Sequence, residues 1–99
     1  MTDVAHEPIH PGESLLEDFL TPLGITRYRL AKAIGVTPSH IGDICAGRRR
    51  ITPETAVLIS RALGLTDGYW ITAQAQYDLE MERDLHADRI AATPILVSA

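Results

Sequence analysis

The chain has 99 residues, a formal net charge of −4 and 45% hydrophobic residues. This size supports one small domain with a single core, and it leaves little room for an enzyme cleft of about 300 Å³ or more. The only cysteine, Cys45, excludes an internal disulfide and suits a reducing compartment. No apolar run approaches the ~20 residues of a membrane span and no signal peptide is recognisable, so we expect a cytoplasmic protein without membrane association.

Charge is unevenly distributed along the chain. Residues 1–25 carry five acidic and no basic side chains, residues 26–50 sum to +5, and residues 67–99 sum to −4. One cationic region in an otherwise acidic chain predicts a surface for a polyanion, while the remaining faces avoid it. Nucleic acid is therefore the expected ligand.

Apolar periodicity predicts five helices and an all-α chain. The first helix is expected from about residue 12 to residue 21, after an N-terminal arm formed by residues 1–11. The last helix is predicted from about residue 67 to at least residue 83, and residues 84–99 form a C-terminal extension. The core face of the first helix is predicted to consist of Leu15, Leu16, Phe19, Leu20 and Leu23.

Threonines and glycines mark where the middle helices begin and end. Thr26 and Thr37 are suited to cap the second and third helices, and Thr52-Pro53-Glu54 repeats the start signal for the fourth. A helix end favours a left-handed residue. The glycines at such positions are Gly24, Gly35, Gly47 and Gly64.

Residues 26–47, TRYRLAKAIGVTPSHIGDICAG, predict a helix-turn-helix. Ala31 is small at the point where the two helices cross, and Gly35 suits the tight turn between them. A motif of this kind places its second helix in the major groove of DNA. Because it coincides with the cationic region, we predict DNA binding within residues 12–83.

The outward side of the third helix is predicted to read base edges. Asp43 has three open roles there: accepting from cytosine N4, orienting a neighbouring arginine, or facing solvent. Gly42 lowers helix stability by about 1 kcal/mol relative to alanine, and we attribute its presence to close approach to a base or sugar. The predicted base-reading residues are Thr37, Ser39, His40, Gly42 and Asp43.

Arginines on either side of this helix are predicted to contact phosphates. Arg27 and Arg29 open the second helix, where free backbone N–H groups also favour an anion. Arg48, Arg49 and Arg50 follow the third helix and are predicted to track the DNA backbone. The alternative for these three is a solvated loop.

Three further motifs resemble the HigA family of antitoxins, within the lambda-repressor-like (Xre) helix-turn-helix superfamily. They are IHPGE at residues 9–13, GRRxIT at residues 47–52, and the YW…Q…YDL signature of residues 69–79. The resemblance spans about residues 8–83. It implies a five-helix lambda-repressor-like domain, with base reading by Ser39, His40, Gly42 and Asp43 and backbone contact by Arg27 and Arg48 to Arg50.

The same resemblance implies partners. The protein would be a homodimeric repressor that binds a palindrome in its own promoter. It would also neutralise a co-encoded toxin similar to the HigB family of RelE-like, mRNA-cleaving ribonucleases. Two alternatives stay open: a solitary helix-turn-helix regulator without a toxin, and a protein-interaction module that has lost DNA binding.

Candidate dimer or partner contacts lie in the last third of the chain. Trp70 and Tyr77 are either interface anchors or core residues, and we favour the core. The apolar segment Ile95-Leu96-Val97 is expected to pair across a two-fold axis or to cover a partner, unless it frays. The acidic segments 1–25 and 67–99 either complement a basic toxin or keep the protein soluble.

Catalysis, a metal site and a cofactor are not expected. The four histidines are scattered, and none stands at metal-ligand spacing with Cys45 or a carboxylate. Cys45 itself falls on the predicted buried side of the third helix, where a small apolar role is usual.

Overall fold

The computed structural model describes residues 7–98 and forms six helices and no strand within them. The all-α prediction is confirmed. The additional helix is a short one in the C-terminal extension, beyond a break at His86, whose ψ of 33° lies outside the helical range. The helices are α1 (Pro11–Ser14, the π-helical segment Leu15–Leu20, and Thr21–Leu23), α2 (Arg27–Ile34), α3 (Pro38–Cys45), α4 (Pro53–Ala62), α5 (Tyr69–Leu85) and α6 (Ala87–Ala91).

Local side chains define the helix-turn-helix as predicted. Thr26 Oγ1 accepts the Arg29 N–H at 3.0 Å at the start of α2, and Thr37 Oγ1 accepts the His40 N–H at 3.1 Å at the start of α3. Thr52 makes no such cap on α4. The four glycines predicted to follow helices all have a left-handed φ, between 67° and 79°. The boundaries of α2 and α3 are therefore set by nearby residues.

The π-helical segment in the middle of α1 changes which side chains face the core. Hydrogen bonds in a π-helix join residues five apart, so Leu15 and Leu20 point the same way, and both are buried. The prediction for Leu23 was wrong: its side chain is 59% exposed. The wider turn rotates the residues that follow it around the helix axis. A core face predicted at α-helical spacing is therefore wrong for the residues after this turn.

A single core holds α3 in place from one side. α3 packs against α1 and α2, α4 packs against α2 and α5, and α5 also reaches α1. Trp70 has no exposed surface. The favoured core role is therefore confirmed for Trp70, and its alternative as a dimer or partner contact is wrong, because a wholly buried side chain has no area to offer. The buried apolar residues are Leu15, Leu20, Leu30, Ala31, Ile41, Ile44, Cys45, Ile51, Ala56, Ile59 and Trp70.

The other candidate contact residues lie nearer the surface. Tyr77 is half-buried on α5. The segment Ile95-Leu96-Val97 is between 77% and 90% exposed and has no regular secondary structure, so its contact with a second chain stays a prediction. In the part of the chain that the structure covers, no helix combines the length and apolar character that crossing a bilayer requires.

Candidate nucleic-acid interface

The outer side of α3 forms a shallow concavity, which we call the reading surface. It is lined by Arg27, Ser39, Gly42, Asp43, Ala46 and Arg48. The structure thus brings together three of the predicted base-reading residues and two of the predicted phosphate-binding arginines. Side chains from α2, from α3 and from the loop after α3 meet at one surface, which a duplex could cover.

His40, in the first turn of α3, has a neutral imidazole at neutral pH. Burial lowers the pKa of His40 below its usual value, and the Arg49 guanidinium lowers it further, against an opposing effect of Asp43. A neutral ring offers one donor and one acceptor, which suits a base edge better than a phosphate. The neighbouring Thr37 uses one lone pair of its hydroxyl oxygen to cap α3, so its hydroxyl hydrogen and its second lone pair remain for DNA.

The three arginines after α3 have three different environments. Arg48 donates from Nε and Nη2 to Oδ1 of Asp43, at 3.2 and 2.8 Å. Arg50 donates to the two carboxylate oxygens of Asp78 on α5, at 3.4 and 2.8 Å. Arg49 forms no ion pair with any described residue. Two of the three arginines are thus paired with carboxylates, and the contact of all three with the DNA backbone stays a prediction.

Arg27 and Arg29 also remain available. Both are exposed at the start of α2, and neither forms an ion pair within residues 7–98. The backbone N–H of Arg29 is taken by the Thr26 cap, so its guanidinium rather than its amide would contact an anion. Together with Arg49, these two side chains carry positive charge beside α3 that no described carboxylate pairs.

The YW…Q…YDL signature attaches the arginine loop to α5. Buried Gln74 accepts the Ile51 backbone N–H at 2.8 Å and donates to Asp78 at 3.1 Å. The hydrogen bond from Arg50 lowers the pKa of the Asp78 carboxyl, which keeps this group ionised. The positioning role of Gln74 was not predicted from the sequence. The sequence did contain a signal for this role, because the Gln74 amide lies on the same helical face as Trp70 and Tyr77.

The IHPGE motif fixes α1 against α3. His10 caps α1 by accepting the Gly12 N–H on Nδ1 at 2.9 Å, and Pro11 takes the first helical position. Gly12 lies so close to α3 that an added Cβ would be 1.6 Å from the Ile44 carbonyl oxygen. This role of Gly12 was not predicted from the sequence. The sequence did contain a signal for this close contact: Gly12 stands in the first turn of a helix, where the chain does not reverse and no glycine is needed for a turn.

His10 makes the stability of the fold dependent on pH. Burial lowers the pKa of His10 below its usual 6.5, and the ring packs edge-on against Tyr77 with centroids 5.0 Å apart. The unfolded state takes up this proton at higher pH than the folded state. The contribution of His10 to stability is therefore fully present above about pH 6.5 and is lost as pH falls through the folded-state pKa. We expect the free energy of unfolding, measured in urea, to decrease between about pH 7 and pH 5.

A His10→Asn variant is the control for this prediction. Its amide oxygen caps a helix but does not titrate. The decrease in stability at acid pH should therefore be smaller in the variant than in the wild-type protein. An identical pH dependence in both proteins would show that His10 does not contribute.

The space around Gly42 could hold a side chain, although glycine has none. A Cβ built at this position meets no atom within 4 Å, and its φ is not positive. We expect Gly42→Ala to raise the free energy of unfolding by about 1 kcal/mol and the Tm by about 4–8 °C, yet to weaken DNA binding. Thermal unfolding and gel shifts measure the two effects. A more stable variant that binds DNA as tightly as the wild type would exclude close approach at Gly42.

Comparison with known sequences agrees with this geometry. Residues 16–70 match the profile of the helix-turn-helix family. Virulence-associated protein I of Dichelobacter nodosus is 44% identical over 73 residues, which cover 74% of this chain and 68% of the relative. Antitoxin HigA-1 of Vibrio cholerae serotype O1 is 31% identical over 99 residues, which cover 99% of this chain and 93% of the relative.

Comparison with solved structures gives the same assignment. The Pseudomonas aeruginosa antitoxin HigA with the higBA promoter superposes with a TM-score of 0.83 at 28% identity, covering 91% of this chain and 99% of that one. One full-length sequence relative and this solved structure are both HigA antitoxins. The chain belongs to the helix-turn-helix family and, within it, to the HigA antitoxins.

Proposed function

We propose that the protein is an autorepressing antitoxin: a homodimer that binds a palindromic operator in its own promoter and neutralises a co-encoded RelE-like toxin. The observation that carries the DNA-binding part is the reading surface, where charged and polar side chains from α2, α3 and the following loop line one concavity. The similar HigA of Pseudomonas aeruginosa has its higBA promoter bound, which supports the proposal.

In the proposed complex, the α3 helices of two subunits enter successive major grooves about 34 Å apart. Ser39 and His40 in the first turn of α3 face the base edges. Arg27, Arg29 and Arg49 contact phosphates on either side, since none of them is paired with a carboxylate of residues 7–98. Phosphate contacts fix the register of the protein, and base contacts select the sequence.

A titration of the upstream promoter duplex with the protein, at several salt concentrations, tests DNA binding. Each neutralised phosphate contributes about −0.9 to the slope of log affinity against log salt. Three phosphate contacts per subunit therefore predict a slope of about −3 per subunit. A protein that shows no salt-dependent binding to this duplex, or to an unrelated one, is not a DNA-binding repressor.

The toxin is the second partner, and the two acidic segments of the chain meet at a suitable surface. A groove between the residues before α1 and the outer side of α5 is lined by the carboxylates of Glu7, Glu80 and Asp84 and by the apolar side chains of Ile9 and Tyr77. Arg83 also lines it. Carboxylates around an apolar floor complement a basic segment, which an RNA-cleaving toxin would offer.

The toxin proposal is tested with the purified product of the adjacent gene. We expect Asp84→Lys to weaken its binding, measured by calorimetry, and to leave operator binding unchanged. Glu17→Lys is the matched control, because Glu17 is an exposed acid on α1 that does not line the groove. Equal effects of the two variants would contradict this docking surface, and no complex with the wild-type protein would favour a solitary regulator.

A further inference from the structure

Asp43 and Arg48 form a hydrogen-bonded unit at the edge of the reading surface. The chain reverses at Gly47, whose φ is 79°, and this brings Arg48 back over the last turn of α3. The Arg48 backbone N–H then donates to the Asp43 carbonyl at 2.9 Å, and its Nε and Nη2 donate to Asp43 Oδ1 at 3.2 and 2.8 Å. These three hydrogen bonds to Asp43 position the backbone of Arg48 and orient the plane of its guanidinium.

This arrangement leaves the other edge of the guanidinium free. A guanidinium carries five N–H donors in a fixed fork, and Asp43 occupies the edge formed by Nε and Nη2. The outer hydrogens of Nη1 and Nη2 remain as a parallel pair, which is the geometry that binds O6 and N7 of guanine. The Arg48 side chain is 68% exposed and that of Asp43 38% exposed, so a ligand can reach this edge.

The position of the unit favours a base over a phosphate. Asp43, Arg48, Ser39 and Gly42 line the same concavity, and the absence of a side chain at Gly42 lets a duplex come close to α3. A carboxylate directed at the DNA backbone would repel phosphates. In the major groove, the same carboxylate can orient the arginine, and its Oδ2, which receives no hydrogen bond from the described residues, can accept from cytosine N4.

We propose that Arg48, held by Asp43, reads a guanine in the major groove. Arg48 is then a specificity-determining residue rather than a phosphate contact, and Asp43 is its positioning residue. This inference rests on the proposed operator binding. Because exposed ion pairs contribute little to folding, variants of either residue should fold normally and change DNA recognition alone.

The experiment measures the affinity of wild-type, Arg48→Ala and Asp43→Ala proteins for the promoter duplex and for duplexes in which each G·C pair is replaced in turn. The wild type should lose about ten-fold or more in affinity when the guanine read by Arg48 is replaced. Both variants should lose this discrimination. Asp43→Ala removes the acceptor of both Arg48 side-chain hydrogen bonds and a negative charge near DNA, so its affinity for the remaining duplexes should stay equal or rise while its discrimination falls.

Two controls separate base reading from general effects of charge. Arg49→Ala should weaken binding to every duplex alike. Asp67→Ala breaks an exposed arginine–aspartate pair, in which Arg61 donates from Nε and Nη2 to Asp67 at 2.7 and 3.1 Å, but neither residue lines the reading surface. It should change neither affinity nor discrimination.

The outcomes distinguish this inference from the proposed function. If the wild-type protein binds its promoter but Arg48→Ala weakens all duplexes equally and reduces the salt slope by about one, Arg48 is a phosphate contact and the inference is overturned alone. If Asp43→Ala keeps the wild-type discrimination, the positioning role is overturned. If the wild-type protein binds no duplex in a salt-dependent way, the proposed function and this inference both fail.

Discussion

Gly12→Ala is expected to lower the Tm by at least about 12 °C. The added Cβ would lie 1.6 Å from the carbonyl oxygen and 2.5 Å from the carbonyl carbon of Ile44. Both are backbone atoms of α3, so no side-chain rotation relieves the clash, and the two helices must separate. Overpacking a core typically lowers the free energy of unfolding by about 1–3 kcal/mol, and we expect a loss of about 3 kcal/mol or more here. In a domain of this size, each kcal/mol lowers the Tm by about 4 °C or more.

Gly42→Ala is the matched control for this prediction. It adds the same methyl group to a helical glycine, but into open space, and should raise the Tm. Thermal unfolding followed by circular dichroism compares the two variants. Any folded fraction of Gly12→Ala should also bind the promoter less tightly, because α3 is displaced relative to α1. A Gly12→Ala protein that melts within about 2 °C of the wild type would disprove the close crossing.

The double variant Arg27→Ala/Arg49→Ala is expected to lose operator affinity at least about a hundred-fold at low salt. A hydrogen bond to a charged group contributes about 1.5–3 kcal/mol, and these two guanidinium groups have no carboxylate partner within residues 7–98. The loss should be the same for operator and for unrelated DNA, since phosphates carry no sequence information. The salt slope should fall by about two per subunit.

Arg83→Ala/Arg89→Ala removes the same amount of charge from the C-terminal part of α5 and from α6. This control should leave operator affinity nearly unchanged. Fluorescence anisotropy with labelled duplexes, at matched ionic strength, measures both double variants. If the control weakens binding as much as the Arg27/Arg49 variant, the effect comes from net charge and not from contacts beside α3.

Signals within one turn of the chain predicted most of the fold. Thr26 and Thr37 cap the helices that they were expected to cap, and the turn at Gly35 has the expected left-handed φ. These features depend on residues three or four apart, which the sequence displays directly. The failure at Leu23 has a physical cause, because one π-helical turn changes the spacing that the apolar pattern assumes.

Long-range contacts around α3 could not be predicted in the same way. The pair of Arg50 and Asp78 joins residues 28 apart in the chain, and the approach of Gly12 to Ile44 joins the first helix to the third. The outward side of α3 followed from helical periodicity alone. Which arginines were free and which were paired depended on how α5 packs, and no local pattern encodes that.

The buried amide of Gln74 holds the backbone of the arginine loop in a way that does not depend on the charged side chains of the loop. Its bond to the Ile51 N–H, at 2.8 Å, anchors the backbone from inside, while the three arginines point outward and are exposed. Their replacement thus costs the scaffold little. Descendants of one ancestral protein, or a designer, could exchange these side chains to recognise a different promoter and keep the same frame, so that target choice evolves without refolding the molecule.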